Sequence, residues 1–466
     1  MIDWADMFVG QGQPKYQRLS ERIAGAIYEG RLPPGSRLPS HRDLAYRLGI
    51  SIGSVARAYG ELAERGLVRG EVGRGTIVER PGGSASIPLE RGPGVVDLGL
   101  VVRPPIADEA LIDEAGRKTL RALGNSWQLL SLGEHVTERG ELRHRKAAQT
   151  WLSRRGISTS DDTVAFMIGA QEALATSLMA TTQHGDTILG ESTTLAALRD
   201  LAKRLGLKLS GVAMDEQGIV PDDLRHQCRR RQAKVLVVQP TLHIPTAARM
   251  GADRRRQIAD ILRGEGLTAI EYEAWSSVVP GLGQPLASLA PERVIHIEGF
   301  SNALMPGLRA SVVCAPEELM PLMQAARLPI VVSTPRLVSE VASHWIMSGI
   351  AARLAAAVAR KNESRMRIAR RILGSKVRNA PDNSPFVWLP ASPFEDGRDY
   401  VRVAEQHGVR VLPAERFATT SPVPAFVRVA ISSAADDQEL EFALAILAER
   451  VGSHPARRRT TSKGAK

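Results

Sequence analysis

With 466 residues, 43% of them hydrophobic, the chain is long enough for two or three domains and apolar enough to bury a large core. A formal charge of +11 favours a polyanionic partner, nucleic acid first. Only two cysteines, Cys228 and Cys314, far apart and without metal-ligand spacing, imply no disulfide framework and read as reduced packing residues, and no apolar run reaches the about 18 residues of a membrane helix.

The chain opens Met-Ile-Asp-Trp-Ala-Asp, acidic where a secretory signal would be basic, so the expected address is cytoplasmic. Residues 14–80 read as three helices and a hairpin. The first helix is expected over about 14–30, with Tyr16, Leu19, Ile23, Ile27 and Tyr28 on one face. Pro33-Pro34-Gly35 breaks the chain, Ser40 N-caps a helix over 41–48, and Ser51 or Gly53 begins a third that ends at Gly66. Only Gly49-Ile50 separates the second and third helices, which is the spacing of a helix-turn-helix. Residues 67–78 alternate around Gly73-Arg74-Gly75, predicting a two-stranded wing. A DNA-binding domain is therefore expected over 1–80.

From 81 to 109 the chain is rich in Pro and Gly and reads as an interdomain linker, part of which docks on the domain after it. Short apolar runs at 163–168, 187–189, 235–238, 268–270, 293–297 and 310–313 alternate with helical stretches, so 110–452 is expected to be an α/β domain with a mainly parallel sheet. Residues 453–466, with Arg457-Arg458-Arg459, Lys463 and Lys466, read as a disordered basic tail. The histidines, Gly133-Glu-His135 included, show no metal spacing, and no loop meets the phosphate-binding P-loop pattern. The runs 229–231 and 254–256, three arginines each, read as solvated helix faces, with auxiliary DNA contact as the alternative.

Residues 10–80 hold twelve Lys/Arg against seven Asp/Glu. A helix entering the major groove needs small or polar residues at its N-terminal end and arginines beside them for phosphates or guanine edges, and Ser51-Ile-Gly-Ser54 with Arg57 meets that need. Taken singly, each arginine reads equally as a solvated face. Taken in order, Leu38-Pro-Ser-His-Arg-Asp-Leu-Ala45, the stretch 51–59 and Gly73-Arg-Gly-Thr-Ile-Val78 resemble the winged helix-turn-helix of the GntR family. The resemblance implies Arg42 on the DNA backbone and Arg74 in the minor groove, with Ser51, Ser54, Arg57 and Gly73 at the interface. Ile52 departs from it, standing where the family often has arginine.

A reader of this kind ahead of so large an α/β domain resembles the MocR subfamily, whose second domain is similar to a fold-type I aminotransferase. Arg139-Gly-Glu-Leu-Arg143, Trp151-Leu-Ser-Arg-Arg-Gly-Ile157, Ile168-Gly-Ala-Gln-Glu-Ala-Leu174, Gly185-Asp-Thr187 and Gln239-Pro-Thr-Leu-His-Ile-Pro-Thr246 follow in the family's order. So does Glu298-Gly-Phe-Ser-Asn-Ala-Leu-Met-Pro-Gly-Leu-Arg309. The resemblance implies a helix N-terminus at Gly169, Ala170 and Gln171 that meets a cofactor phosphate, with Ser301 and Arg309 beside it, and Arg428 on a substrate carboxylate.

The reactive end departs from that pattern. Asn302 stands at the position of the Schiff-base lysine, and an asparagine offers the pyridoxal aldehyde no nucleophilic amine. Tyr272 stands for the aspartate under the pyridine nitrogen, Ala274 for a tyrosine, His243 for an asparagine or glutamine, Leu195 for an aromatic residue and Gly299 for a hydroxyl residue. A shift of one residue in register would return Glu271 or Glu273 to the carboxylate position; none restores the lysine. The expectation is a DNA-binding transcription regulator and homodimer without transaminase chemistry or covalent cofactor. A phosphate or carboxylate ligand, non-covalent pyridoxal phosphate included, would bind at Gly169, Ala170, Gln171, His243, Ser301, Asn302, Arg309 and Arg428. The rivals are a pyridoxal-phosphate regulator or enzyme with an atypical base, and a ligand-free dimer platform.

Overall fold

The computed structural model describes residues 14–28, 31–33, 35–65, 67–71, 75–78, 95–106, 108–124, 140–300, 302 and 304–451. The chain divides into two compact units, 1–90 and 91–466.

In the first unit, α1 (Lys15–Tyr28), α2 (His41–Leu48) and α3 (Ile52–Glu64) precede a hairpin of β1 (Val68–Glu71) and β2 (Gly75–Val78), paired antiparallel with Val68 opposite Val78. Local chemistry sets the turn between α2 and α3. The Ser40 hydroxyl accepts the Asp43 amide at 3.1 Å to start α2, and Gly49, at φ +61°, ends it by returning its N–H to Ala45 and Tyr46. Of the two starts expected for α3, the structure uses Ser51, whose hydroxyl accepts the Ser54 amide at 3.1 Å. Leu19, Ile23, Leu44, Val55 and Leu62 fill the core between the helices.

The second unit begins before the expected end of the linker. Residues 95–106 belong to it: β3 (Val96–Asp97) pairs in parallel with β14 (Val409–Arg410), and Ala430 donates its amide to Leu98. The expected linker therefore overlaps this unit from residue 91 onward. After α4 (Glu109–Leu123) and α5 (Leu142–Ser153), the chain alternates through β4 (Val164–Met167), α6 (Gly169–Thr181), β5 (Thr187–Glu191), α7 (Ala196–Arg204) and β6 (Lys208–Val212). A short pair, β7 (Met214–Asp215) and β8 (Gly218–Ile219), leads to α8 (Pro221–Arg231), β9 (Val235–Val238), α9 (Ala252–Gly264), β10 (Thr268–Glu273), α10 (Leu286–Leu289), β11 (Val294–Gly299) and β12 (Ser311–Cys314).

Seven of these strands form one sheet in the order β4-β12-β11-β10-β9-β5-β6, parallel except where β12 runs against β4 and β11. All six of the apolar runs read from the sequence are strands of this sheet, buried because helices cover such sheets on both faces. Helices α11 (Met320–Arg327), α12 (Arg336–Met347) and α13 (Ile350–Leu373) lead to a smaller sheet ordered β13-β16-β15, made of β13 (Val387–Pro390), β15 (Leu412–Pro413) and β16 (Phe426–Val429). Helix α14 (Gly397–Gln406) lies between β13 and β14, and α15 (Asp437–Ala445) follows β16. Ligands in open parallel sheets bind beyond the carboxyl ends of the strands, and there Gly169, His243, Tyr272 and Asn302 are found.

Candidate functional site

In the first unit, α3 buries Val55, Ala58, Tyr59 and Leu62 and exposes Ile52, Gly53, Ala56 and Arg57, so the face predicted to read DNA is the open one. Arg42 is exposed on the first turn of α2. The Ser51 and Ser54 hydroxyls lie 2.9 Å apart and bond to each other, which makes Ser51 first of all a cap. The Arg57 guanidinium lies over the Tyr16 ring, 4.0 Å from its centroid. Stacking uses the face of the guanidinium and leaves its N–H edge for an acceptor. Gly73 and Arg74 lie outside the described residues. Sequence reasoning missed Tyr46, 89% exposed one turn after Arg42, and Arg37, whose guanidinium lies 3.2 Å from where a Gly75 β-carbon would stand.

In the second unit, β4 ends against Gly169, which opens α6 at φ +78°. The Arg309 guanidinium lies 3.5 Å from where a Gly169 β-carbon would be, so a side chain there would crowd the arginine as well as strain the backbone. Arg309 itself sits at φ +47°, an uncommon conformation for a residue with a β-carbon. Helix N-terminus, glycine and arginine thus come together at the start of α6, where the resemblance implies an anion cradle. Ala170 borders it: a β-carbon on Gly299 would stand 3.3 Å from that of Ala170 and 3.7 Å from the Ala274 backbone. Gln171 is exposed, Asn302 is half-buried, and Ser301 lies outside the described residues.

Tyr272 is buried, and burial pushes its phenol up to about 12 against the opposing charge of Arg309. It is a neutral hydroxyl where a carboxylate would be needed. No register shift rescues the carboxylate, because Glu271 and Glu273 spend their oxygens elsewhere. Glu271 accepts the amides of Leu286 at 2.8 Å and Ala287 at 3.1 Å, and Glu273 accepts the Thr241 hydroxyl at 2.6 Å.

The loop after β9 holds His243, 1% exposed, with Nδ1 2.7 Å from the Thr246 hydroxyl and Nε2 without a hydrogen-bond partner among the described residues. Burial lowers its pKa to about 3, so the ring is neutral. Glu191, at the end of β5, accepts the Thr194 hydroxyl at 2.7 Å and the Gln239 amide at 2.8 Å, and burial raises it to about 7. Thr194 donates its amide to the Phe417 carbonyl at 2.8 Å, and the Phe417 ring lies 5.1 Å from the Arg428 guanidinium. His243 Nε2 lies 4.0 Å from Glu191, so a line of neighbouring groups runs from His243 through Glu191, Thr194 and Phe417 to Arg428. Arg428 is 6% exposed, donates through Nη2 to the Gly99 carbonyl, and is lowered to about 9 by burial, with Asp97 opposing.

The sequence reading missed a buried ionic cluster on the other side of β10 and β11. His296 Nδ1 lies 2.8 Å from Glu271, Arg255 3.7 Å from Glu271, and Arg155 3.5 Å from Glu298, whose other oxygen takes the Trp151 indole N–H at 2.8 Å. The one available signal was polar residues at alternate positions in apolar strands, Glu271 and Glu273 in β10, His296 and Glu298 in β11. Of the two arginine runs read as solvated faces, 229–231 is exposed, with Arg229 paired to Glu265; in the second, Arg256 is exposed and pairs with Asp253, Arg254 pairs with Asp215, and Arg255 turns inward.

The phosphate end would fit pyridoxal phosphate, with Gly169 and Arg309 as its anchors. The ring end does not fit, since Asn302 carries no amine, Tyr272 no charge and Ala274 no hydroxyl.

Comparison with known proteins agrees with the two folds described above. Residues 15–78 match the bacterial regulatory proteins of the gntR family, and 135–447 match aminotransferase class I and II. YdeF of Bacillus subtilis (strain 168), named as an HTH-type transcriptional regulator, is 27% identical over 450 residues, 96% of each chain. The pyridoxine biosynthesis regulator PdxR of Corynebacterium glutamicum is 30% identical over 319 residues, 64% of this chain and 65% of that one. Among solved structures, Pyrococcus horikoshii kynurenine aminotransferase superposes with a TM-score of 0.70 at 19% identity over 77% of this chain and 91% of its own, which establishes the fold. The chain belongs to the aminotransferase class I and II family and carries a GntR-type unit ahead of that domain, the architecture of the MocR subfamily of transcription regulators.

Proposed function

We propose that this chain is a DNA-binding transcription regulator whose second unit binds an anionic small molecule without covalent or transaminase chemistry. One observation carries the reading: the Gly169–Arg309 cradle is intact while lysine, aspartate and tyrosine are replaced at Asn302, Tyr272 and Ala274. A regulator needs ligand affinity to differ between two states, and non-covalent contacts suffice for that. Arg42, the open face of α3 and the Arg57 edge would hold DNA, with Ser54, Gly73 and Arg74 completing the interface. The protein would act as a cytoplasmic homodimer, since paired reading heads on repeated half-sites supply the affinity that one head lacks.

Thermal denaturation with inorganic phosphate tests this. A ligand at ten times its Kd stabilises by about 1.4 kcal/mol, so the melting temperature should rise in the native chain and stay fixed in Arg309→Ala. An equal rise in both, or none in either, would overturn the cradle. Borohydride treatment after incubation with pyridoxal phosphate should leave no adduct on a cleft residue; one adduct per subunit would restore the cofactor reading. The ligand-free platform is favoured by one observation, the hold of Gly99 on Arg428, and a rise with phosphate in the native chain that Arg309→Ala lacks would overturn it.

A further inference from the structure

Among the described residues of the first unit, two large hydrophobic side chains stand open to solvent: Tyr46 on α2, and Ile52, 50% exposed at the first position of α3. The packing of the unit does not ask for an isoleucine there. Helix α3 fills the core with Val55, Ala58, Tyr59 and Leu62 from another face, and at an exposed helical position alanine forms the helix better than a β-branched residue does. The surroundings of Ile52 are bare as well. Ala56, one turn on, is exposed, and Gly53 carries no side chain, although a β-carbon there would stand 4.0 Å from the Ser51 hydroxyl and crowd nothing. The hydroxyls of Ser51 and Ser54 bond to each other at 2.9 Å, and Ser51 also accepts the Ser54 amide at 3.1 Å. Charge on this face comes from Arg57, laid over the Tyr16 ring.

In a helix-turn-helix the N-terminal residues of the second helix meet base edges in the major groove. Most of what a base pair presents there is a hydrogen-bond donor or acceptor, and the apolar feature is the C5-methyl group of thymine. Ile52 and Ala56 bring methyl groups to that encounter and neither donor nor acceptor. A guanine or adenine edge set against Ile52 would lose its water and gain no partner, which is a cost. A thymine methyl in the same place loses unfavourable contact with water, which is a gain.

We propose that Ile52 selects thymine by its C5-methyl group, so that each half-site of the operator carries a T·A pair, in one orientation, where the first turn of α3 enters the groove. The inference rests on the reading of α3 as the DNA-contacting helix and adds to it which base the helix selects and by what chemistry.

Selection of duplexes from a randomised pool by the full chain, followed by gel-shift titration of the enriched sequence, tests it. Each thymine of that sequence is replaced in turn by deoxyuridine, which removes the methyl group and keeps every hydrogen-bonding group. At one thymine per half-site the replacement should weaken binding about fourfold, the factor that corresponds to about 0.8 kcal/mol for one buried methyl-sized group. Ile52→Ala, at an exposed position that leaves the core untouched, should bind the thymine and deoxyuridine duplexes within about twofold of each other. Ile52→Val, which keeps the branched β-carbon, should retain most of the discrimination. A methyl-sensitive thymine that is equally sensitive in the native chain and in Ile52→Ala would give the reading to another side chain and overturn the proposal. An enriched sequence without any methyl-sensitive thymine would also overturn it, and would leave operator binding intact. No enriched sequence at all would overturn both the proposal and the operator-binding reading on which it rests.

Discussion

Among the buried glutamate–histidine pairs of the second unit, Glu191 with His243 lies in the cleft and Glu271 with His296 on the far side of the sheet, and their protons are distributed in opposite ways. Behind the sheet, Glu271 and His296 are 2.8 Å apart. Burial works against the charge of each, yet their hydrogen bond and mutual attraction, with Glu298 and Arg255 beside them, hold Glu271 down to about 2 and His296 up to about 9. In the cleft, Glu191 and His243 are 4.0 Å apart, and neither gains from the other. Burial outweighs the opposing hydrogen bonds there, moving Glu191 up to about 7 and His243 down to about 3, so both tend to neutrality. A little over one ångström separates a structural ion pair from a polar pair that stays largely neutral.

Removing the structural pair should have the most severe consequence. Glu271→Leu takes away the acceptor of two backbone amides and leaves His296 and Arg255 charged and buried, so it should cost about 3–5 kcal/mol of unfolding free energy. Urea denaturation measures this. A loss under about 1 kcal/mol would mean that the cluster is wet or loosely held rather than a closed ionic core.

A smaller effect separates the pairs by pH. His296 is raised from 6.5 to about 9, so its contribution to stability is complete below pH 6.5 and is lost as pH rises toward 9. Glu271 is lowered from 4.5 to about 2, so its share is present above pH 4.5 and is lost on acidification toward 2. The urea midpoint of the native chain should fall between pH 6.5 and 9, and His296→Asn, though less stable at pH 6, should show a flatter profile across that window. Parallel profiles would assign the alkaline loss to another group.

How much of this the sequence disclosed depended on the range of the interaction. The helix-turn-helix is set by neighbours: Ser40, Gly49 and Ser51 each act within four residues of themselves, so composition and spacing sufficed to place α2 and α3. The strands of the large sheet were equally legible, because burial on both faces makes each a continuous apolar run. The cleft was legible only as substitutions in ordered motifs, which identified Asn302 and Tyr272 but could not show what replaced their partners. Arg428 and Gly99 are 329 residues apart, and Trp151 and Glu298 are 147 apart. No local pattern encodes such pairings, and they exist because the sheet order brings distant strands together. The same limit left the register around Tyr272 open until the bonds of Glu271 and Glu273 fixed it.

The smallest effect belongs to the cleft pair. Glu191 is raised from 4.5 to about 7, so the native chain loses stability as pH rises across that interval, when the unfolded chain gives up its proton and the folded one still holds it. Glu191→Gln is a near copy of the protonated acid. Its carbonyl oxygen can accept the Gln239 amide, and its NH2 can donate to the Thr194 hydroxyl, which turns from donor to acceptor without moving its oxygen. Below pH 4.5 the substitution should therefore change stability by less than about 1 kcal/mol. Above pH 7 the variant should equal or exceed the native chain, because the buried charge it lacks is one that no cation offsets. The opposite result, a variant that weakens progressively as pH rises past 7, would mean that a cation reaches Glu191 in the folded protein. His243 would then be its first candidate, and the cleft pair would be a second ion pair rather than a neutral one.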